Sequence, residues 1–239
     1  MIRFLFVVSI FLAHTIEFVY AQEVSANSSV KKEESIEIQV IRPRFFSKKD
    51  RLEIGLSGVF IANQSFIYTY LMSAIVDYHL NEYVGLELSY DYGASSEKQE
   101  KHILTSDFEI KTEIDRVQSM ALAGVTLTPI YGKYQLGGGR LLYFDTFFTF
   151  GGGGTGVNYL YDHCSGDSAP SSRVVWYPTV FAGVGQRYFV GENGSIRYDI
   201  RSHFFNKNEA DASCTPSTAA SSSVSTQIVT LQIGYSYYF

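Results

Sequence analysis

The feature that most restricts the fold is a two-residue alternation of apolar and polar side chains that recurs along most of the chain. In a β-strand successive side chains point to opposite faces, so each alternating segment predicts a strand with one apolar and one polar face. The segments lie at about 51–61, 68–79, 83–92, 116–128, 141–151, 174–189, 195–205 and 230–239. The sequence therefore predicts an all-β protein of eight strands.

The connections between these segments alternate in length. Those after the second and sixth segments are tight, the one after the fourth is moderate, and those after the third, fifth and seventh run to about twenty residues. Short turns at one end, long loops at the other and an even number of strands of roughly ten residues are typical of bacterial outer-membrane barrels. We predict an eight-stranded antiparallel up-and-down transmembrane β-barrel over residues 51–239.

A secreted β-sandwich or a lipocalin-like barrel would show the same alternation, with its apolar face turned inward. Aromatic residues favour the membrane barrel, because the chain has 18 Tyr and 18 Phe, many at the ends of the apolar faces. Amphipathic rings of this kind are enriched where a membrane meets water. The apolar faces, which in the fourth segment include Val117, Ala121 and Ala123, are therefore expected to meet lipid.

The first 21 residues have the pattern of a signal peptide. Arg3 precedes an apolar run from Phe4 to Ala13, and Val19 and Ala21 have the small-residue spacing of a cleavage site after Ala21. A retained anchor helix is disfavoured because the run is too short to cross a bilayer. We expect export, a polar periplasmic segment over residues 22–50 and location in the cell outer membrane.

The inward face of the predicted barrel carries charges of both signs, and an eight-stranded barrel is just wide enough to be filled by its own side chains. Alternation places these acids and bases inside: Glu53, Asp77, Glu87, Asp91, Asp145, Asp199, Arg116, Arg187, Arg197 and Arg201. We expect an ion-paired network of Glu87, Asp145, Arg187, Arg197, Asp199 and Arg201 that plugs the barrel. A narrow water or ion path is the alternative. Glycines 183, 185 and 234 would leave space for the arginine stems, and Phe147 is an apolar exception on this face.

The last segment, "TLQIGYSYYF", has Tyr235, Tyr237 and Phe239 on its apolar face. It resembles the carboxy-terminal signature of Gram-negative outer-membrane proteins. That resemblance implies recognition by the barrel-assembly machinery through these three residues. The apolar face would contact outer-membrane lipid, and the strand would pair with the first to close the sheet.

The body of the chain resembles a family of small Gram-negative proteins known as outer membrane beta-barrel domains. The segments that carry the likeness, within residues 38–239, are "IQVIRPRFFSKKDRLEI", "VDYHLNEYVGLEL", "LTPIYGKYQL", "FDTFFTFGGG", "GVGQRYF" and "SIRYDIR". The resemblance implies the barrel architecture and almost nothing about function, because most such proteins are uncharacterised.

Composition and motifs restrict the function classes. A net charge of −5 argues against a nucleic-acid partner. His203 and Asp91 could approach one rim, as a lipid-modifying or hydrolytic enzyme would need, but each is better explained as an ordinary polar residue, and we expect no enzyme, cofactor or metal. "GGGGTG" at 151–156 lacks the Gly-Lys-Ser/Thr ending of a phosphate loop and is interpreted as the flexible start of a loop.

We expect a structural or surface-contact role through the long loops, with a narrow channel as the alternative.

Cys164 and Cys214 are the only cysteines, and they fall in two of the long loops. Two cysteines in an exported protein predict one disulfide. A metal site would need more ligands than the neighbouring His163 offers.

Overall fold

The computed structural model describes residues 46–99, 116–135, 141–161, 171–208 and 223–239. The predicted signal peptide, its cleavage site after Ala21 and both cysteines lie outside these residues. The strands are β1 (Leu52–Ile61), β2 (Ile67–His79), β3 (Val84–Glu97), β4 (Arg116–Gln135), β5 (Leu141–Tyr161), β6 (Ser171–Val190), β7 (Gly194–Asn208) and β8 (Ser223–Tyr238). Within the described ranges no helix is long and apolar enough to cross a membrane.

Each strand pairs antiparallel with its neighbour in sequence, and β1 pairs with β8, so the eight strands form a closed barrel. The closing ladder extends to the last residue, where the Phe239 N–H donates to the Leu52 carbonyl oxygen at 2.8 Å. We call the end that carries the β2–β3 and β6–β7 turns the turn end, and the opposite end the loop end. The predicted up-and-down architecture is confirmed.

The barrel has apolar side chains outside and charged side chains inside, which is the reverse of a soluble barrel. On the outside, Leu56, Met72 and Ile233 are each more than 60% exposed, at 63%, 65% and 65%. Inside, charged side chains such as Asp77 and Arg197 are fully buried. Apolar groups outside and charged groups inside are the arrangement of a transmembrane barrel, which turns an apolar band to lipid. This is an outer-membrane type of β-barrel fold.

The glycine run at 151–156 lies inside β5, so its interpretation as the start of a flexible loop is wrong. It pairs with β4 on one side and with β6 on the other. A Cβ added at Gly151 or Gly153 would collide with the carbonyl oxygen of Ala123 or Ala121 on β4. These glycines allow two backbones to approach closely. A run of glycines is also typical of loops, so the sequence alone did not reveal this role.

A bulge in β4 reverses the predicted orientation of its first residues. The β4–β5 register shifts between Val117 and Ser119, and Val117 is 2% exposed within the interior instead of facing outward with Ala121. Arg116, expected among the interior bases, is partly exposed and forms an ion pair with Glu97 at the loop end. An extra residue in one strand inverts the face of everything beyond it, and alternation alone does not reveal where it occurs.

The interior has two different halves. Toward the loop end it contains an apolar cluster that includes Leu71, Val117, Met120 and Phe205. Toward the turn end and the middle of the barrel it contains the buried charges. The candidate site is this charged half.

Candidate functional site

Arg197 on β7 connects strands that are not neighbours in the sheet. Its Nη1 lies 3.0 Å from Asp77 Oδ2 on β2, and its Nη2 lies 3.0 Å from Glu87 Oε2 on β3. The same Nη2 lies 3.3 Å from Asp199 Oδ2, two residues along β7. One guanidinium thus crosses the lumen and contacts three buried carboxylates.

Arg201 extends this group toward the loop end. Its Nη1 donates to Glu87 Oε1 at 2.5 Å and its Nε to Asp199 Oδ1 at 2.8 Å. Glu87 therefore accepts from Arg201 on both carboxylate oxygens, and its Oε2 also accepts from Arg197. Charge-assisted contacts of this kind are what buried carboxylates need in order to remain inside a protein.

A second group lies nearer the turn end. Arg187 Nη1 donates to Glu53 Oε2 at 2.9 Å, and His79 Nε2 lies at the same distance from that oxygen. Arg187 Nε is 3.9 Å from Asp145 Oδ1, and the other oxygen of Asp145 binds Lys48 Nζ at 2.5 Å. Lys48 precedes β1, so a residue outside the barrel strands completes the charged interior.

Phe147 joins the two groups. The guanidinium carbon of Arg187 lies 4.5 Å from the centroid of its ring, and that of Arg197 lies 4.9 Å away. The ring is completely buried. The apolar exception on the inward face is thus a cation–π partner for two arginines that are also paired with buried carboxylates.

Glycines on β6 and β8 make room for interior side chains in different ways. A Cβ at Gly183 would lie 2.7 Å from Arg201 Cγ, so this glycine accommodates an arginine stem as expected. At Gly185 the nearest atoms belong to Asp199 and Phe147, and at Gly234 they belong to β1. At these two positions the atoms nearest to an added Cβ do not belong to an arginine, which differs from the expectation.

The segment before β1 covers the turn end of the barrel. Phe46 stacks on Phe189 with 4.5 Å between ring centroids and meets the edge of Tyr238 at 4.7 Å. Arg51 Nη2 donates to the Tyr238 carbonyl at 3.0 Å and to Asn193 Oδ1 at 2.7 Å. The sequence pattern predicted a separate polar segment up to residue 50. The feature that could have indicated its contact with the barrel is an aromatic residue followed closely by lysines just before the first strand.

Glu82, in the β2–β3 turn, holds the same segment. Its carboxylate accepts hydrogen bonds from the Ser47 hydroxyl at 2.8 Å and from the backbone N–H groups of Lys48 and Lys49 at 3.2 and 3.4 Å. Partial burial opposes the charged form, but these hydrogen bonds and the Lys48 charge hold the pKa of Glu82 below its usual range. For Lys48, burial lowers the pKa of the ammonium despite its pairing with Asp145.

The remaining predicted residues lie as follows. His203 Nε2 is 3.1 Å from Thr230 Oγ1 on β8, and within the described chain no hydrogen bond joins His203 to Asp91. Tyr235, Tyr237 and Phe239 are exposed on the outer surface. The described residues contain no group of three or more His, Cys, Asp or Glu side chains that could hold a metal ion.

Comparison with known proteins gives likenesses among solved structures alone. No protein-family model matches the sequence, and no curated protein matches it. The amino-terminal β-barrel domain of Pseudomonas aeruginosa OprF is 11% identical over 80% of this chain and 98% of that one, with a TM-score of 0.42. The attachment invasion locus protein Ail of Yersinia pestis is 11% identical over 80% and 99%, with a TM-score of 0.40. OprG of Pseudomonas aeruginosa is 12% identical over 82% and 98%, with a TM-score of 0.39. Likenesses of this size carry nothing about function.

Proposed function

We propose that this protein is an integral outer-membrane barrel with a sealed interior, which anchors surface-exposed loops and does not conduct ions. The observation that supports it best is the lumen-crossing contact of Arg197 with Asp77 and Glu87. Paired, fully buried charges that reach across the lumen support a closed interior at that level. The apolar cluster toward the loop end and the buried contacts of Phe46 at the turn end support the same proposal.

We infer the orientation of the barrel in the membrane from the lengths of the connections between strands. The turns at 80–83 and 191–193 are short, whereas 98–115, 162–170 and 209–222 connect strands at the loop end. Short turns face the periplasm and long loops face the outside in such barrels. The structural or surface-contact role therefore belongs to the loop end.

Export and assembly are part of the same proposal. The amino-terminal 21 residues would be removed after Ala21, and the outward Tyr235, Tyr237 and Phe239 would be read by the barrel-assembly machinery and then meet outer-membrane lipid. Recovery in the outer-membrane fraction, heat-dependent gel migration and the mass of the mature amino terminus test these steps. A soluble periplasmic product would contradict them.

Single-channel recording in planar bilayers tests the sealed interior. The purified full chain should give no steady current, while heat-dependent migration of the same sample verifies that the barrel is folded. Arg197→Ala removes the lumen-crossing side chain. Its current is compared with that of Lys49→Ala, the matched control at an exposed residue. A steady, ion-selective current from the unaltered protein would favour the narrow channel instead.

A further inference from the structure

The outward surface has a groove at Gly58 on β1 that the flanking side chains do not fill. Gly58 lies between Met72 on β2 and Ile233 on β8, and both neighbours are 65% exposed. A Cβ at Gly58 would meet no atom within 4 Å. The result is a groove of about 630 Å³, lined almost entirely by apolar atoms. That volume lies within the ~300–1,000 Å³ typical of small-molecule sites.

Aromatic rings continue the groove toward the loop end. The Phe60 ring lies 5.3 Å from that of Tyr70 and 6.5 Å from that of Tyr68, between centroids. Lys98 Nζ lies 4.5 Å from the centroid of Tyr68 and donates to the Gln64 carbonyl at 2.8 Å. An ammonium has three donors, so its position above the rings still allows contact with an anion.

An apolar groove that ends at a cation has the chemistry of a lipid with an anionic headgroup. A second copy of the chain fits less well, because a two-fold contact about this groove would bring two Lys98 ammonium groups to the same membrane level. A water-soluble anion would use Lys98 but leave the groove empty. Groove and cation together select a ligand with both parts.

We propose that the Gly58 groove and Lys98 form a binding site for one phosphorylated lipid of the leaflet at the loop end. An acyl chain lies along Gly58 between Met72 and Ile233, and a phosphate contacts Lys98. The inference rests on the proposed membrane orientation, which makes this leaflet the outer one. The chemical class is therefore a phosphorylated outer-leaflet glycolipid of the lipid A type.

Lipid retention measured by native mass spectrometry tests the site. The full chain, made in a Gram-negative host and extracted in mild detergent, is mixed with diphosphoryl lipid A, and the bound fraction is titrated. Gly58→Leu fills the groove and should weaken retention about tenfold, because roughly two methylene groups lose their contact. Lys98→Gln removes the cation and should weaken it about fivefold. Ala182→Leu adds the same side chain to the outward face of β6, a strand that contributes no residue to the lining of the groove, and should have no effect.

The outcomes separate the site from the membrane proposal. Equal retention by the unaltered protein and by Gly58→Leu overturns the groove, and loss in Ala182→Leu equal to that in Gly58→Leu shows nonspecific contact and overturns it as well. Equal retention of lipid A and of its phosphate-free form overturns the role of Lys98. Heat-dependent migration is recorded for every sample. A protein that never forms a barrel in membranes would instead contradict the proposed function.

Discussion

Lys48, four residues before the first strand, places its Nζ 2.5 Å from Oδ2 of Asp145 on β5, and both side chains are almost completely buried. Backbone outside the strands thus contributes a charge to the interior. The contact fastens residues 46–51 across the turn end. Loss of this contact should lower the stability of the whole barrel, because among the described residues Asp145 would keep an ion pair only with the more distant Arg187, at 3.9 Å.

We predict that Lys48→Met lowers the free energy of unfolding by about 3 kcal/mol, because it leaves a buried carboxylate poorly compensated. Asp145→Asn should cost a similar amount for the converse reason. The double variant should cost clearly less than the two together, since neither charge is then stranded. Urea unfolding in micelles, followed by heat-dependent migration, measures these values. Lys49→Met is the control, and additive effects of the two changes would contradict the pairing.

Acid should loosen the contact between Glu82 and residues 47–49. The pKa of Glu82 is lower in the folded protein than in the unfolded chain, so its contribution is complete above the ordinary glutamate value of about 4.3 and is lost as the pH falls through the folded value. Glu82→Gln should therefore lower stability at pH 7 by about 1 kcal/mol and converge with the unaltered protein in acid. Urea midpoints measured at stepwise lower pH test this. Parallel curves at all pH values would contradict it.

Close packing around Gly185 predicts a strong effect of a single methyl group. A Cβ there would lie 2.5 Å from both Asp199 Cβ and the Phe147 ring, and 2.6 Å from the Tyr198 carbonyl oxygen. Gly185→Ala should cost about 2 kcal/mol of unfolding free energy through overpacking. Gly58→Ala, made where no atom lies within 4 Å, should change it by less than about 0.5 kcal/mol. Equal urea midpoints for the two variants would contradict this prediction and would mean that the backbone around Gly185 shifts to accommodate the methyl group.

The alternation of apolar and polar residues predicted the face of each side chain correctly where the strand is regular. It predicted the wrong face where the strand contains a bulge. Arg197 and Asp199 lie two residues apart on a strand without a register shift, so their shared inward face follows from period alone. Val117 precedes a bulge, and the extra residue inverted its predicted face. The contact of Lys48 with Asp145 joins positions 97 residues apart, and local periodicity contains no information about such pairs.

The carboxy-terminal aromatic allows assembly to be separated from stability. The Phe239 ring is 65% exposed and packs edge-on against Tyr237, whereas its backbone N–H closes the barrel on Leu52. Phe239→Ala keeps that hydrogen bond, so refolded protein should lose less than about 1.5 kcal/mol of stability. The fraction assembled in the outer membrane of cells should fall markedly. Phe204→Ala, at another exposed aromatic, is the control, and equal assembly of the two variants would contradict a signal role for Phe239.

The last prediction concerns the two cysteines, whose loops leave the same end of neighbouring strands. Residues 162–170 join β5 to β6, and residues 209–222 join β7 to β8, so both segments start at the loop end on either side of the β6–β7 pair. We predict that Cys164 and Cys214 form a disulfide, which requires their Cα atoms to approach within about 7 Å.

Mass mapping of unreduced peptides released from intact cells should find Cys164 linked to Cys214. After reduction, both thiols should react with a membrane-impermeant reagent in those cells, because both loops would lie at the cell surface. Cys164→Ser should leave Cys214 reactive without reduction, which separates the pairing from the orientation. Two free thiols in the unaltered protein would contradict the disulfide, whereas thiols that stay unreactive after reduction would contradict the assignment of the loop end to the outside.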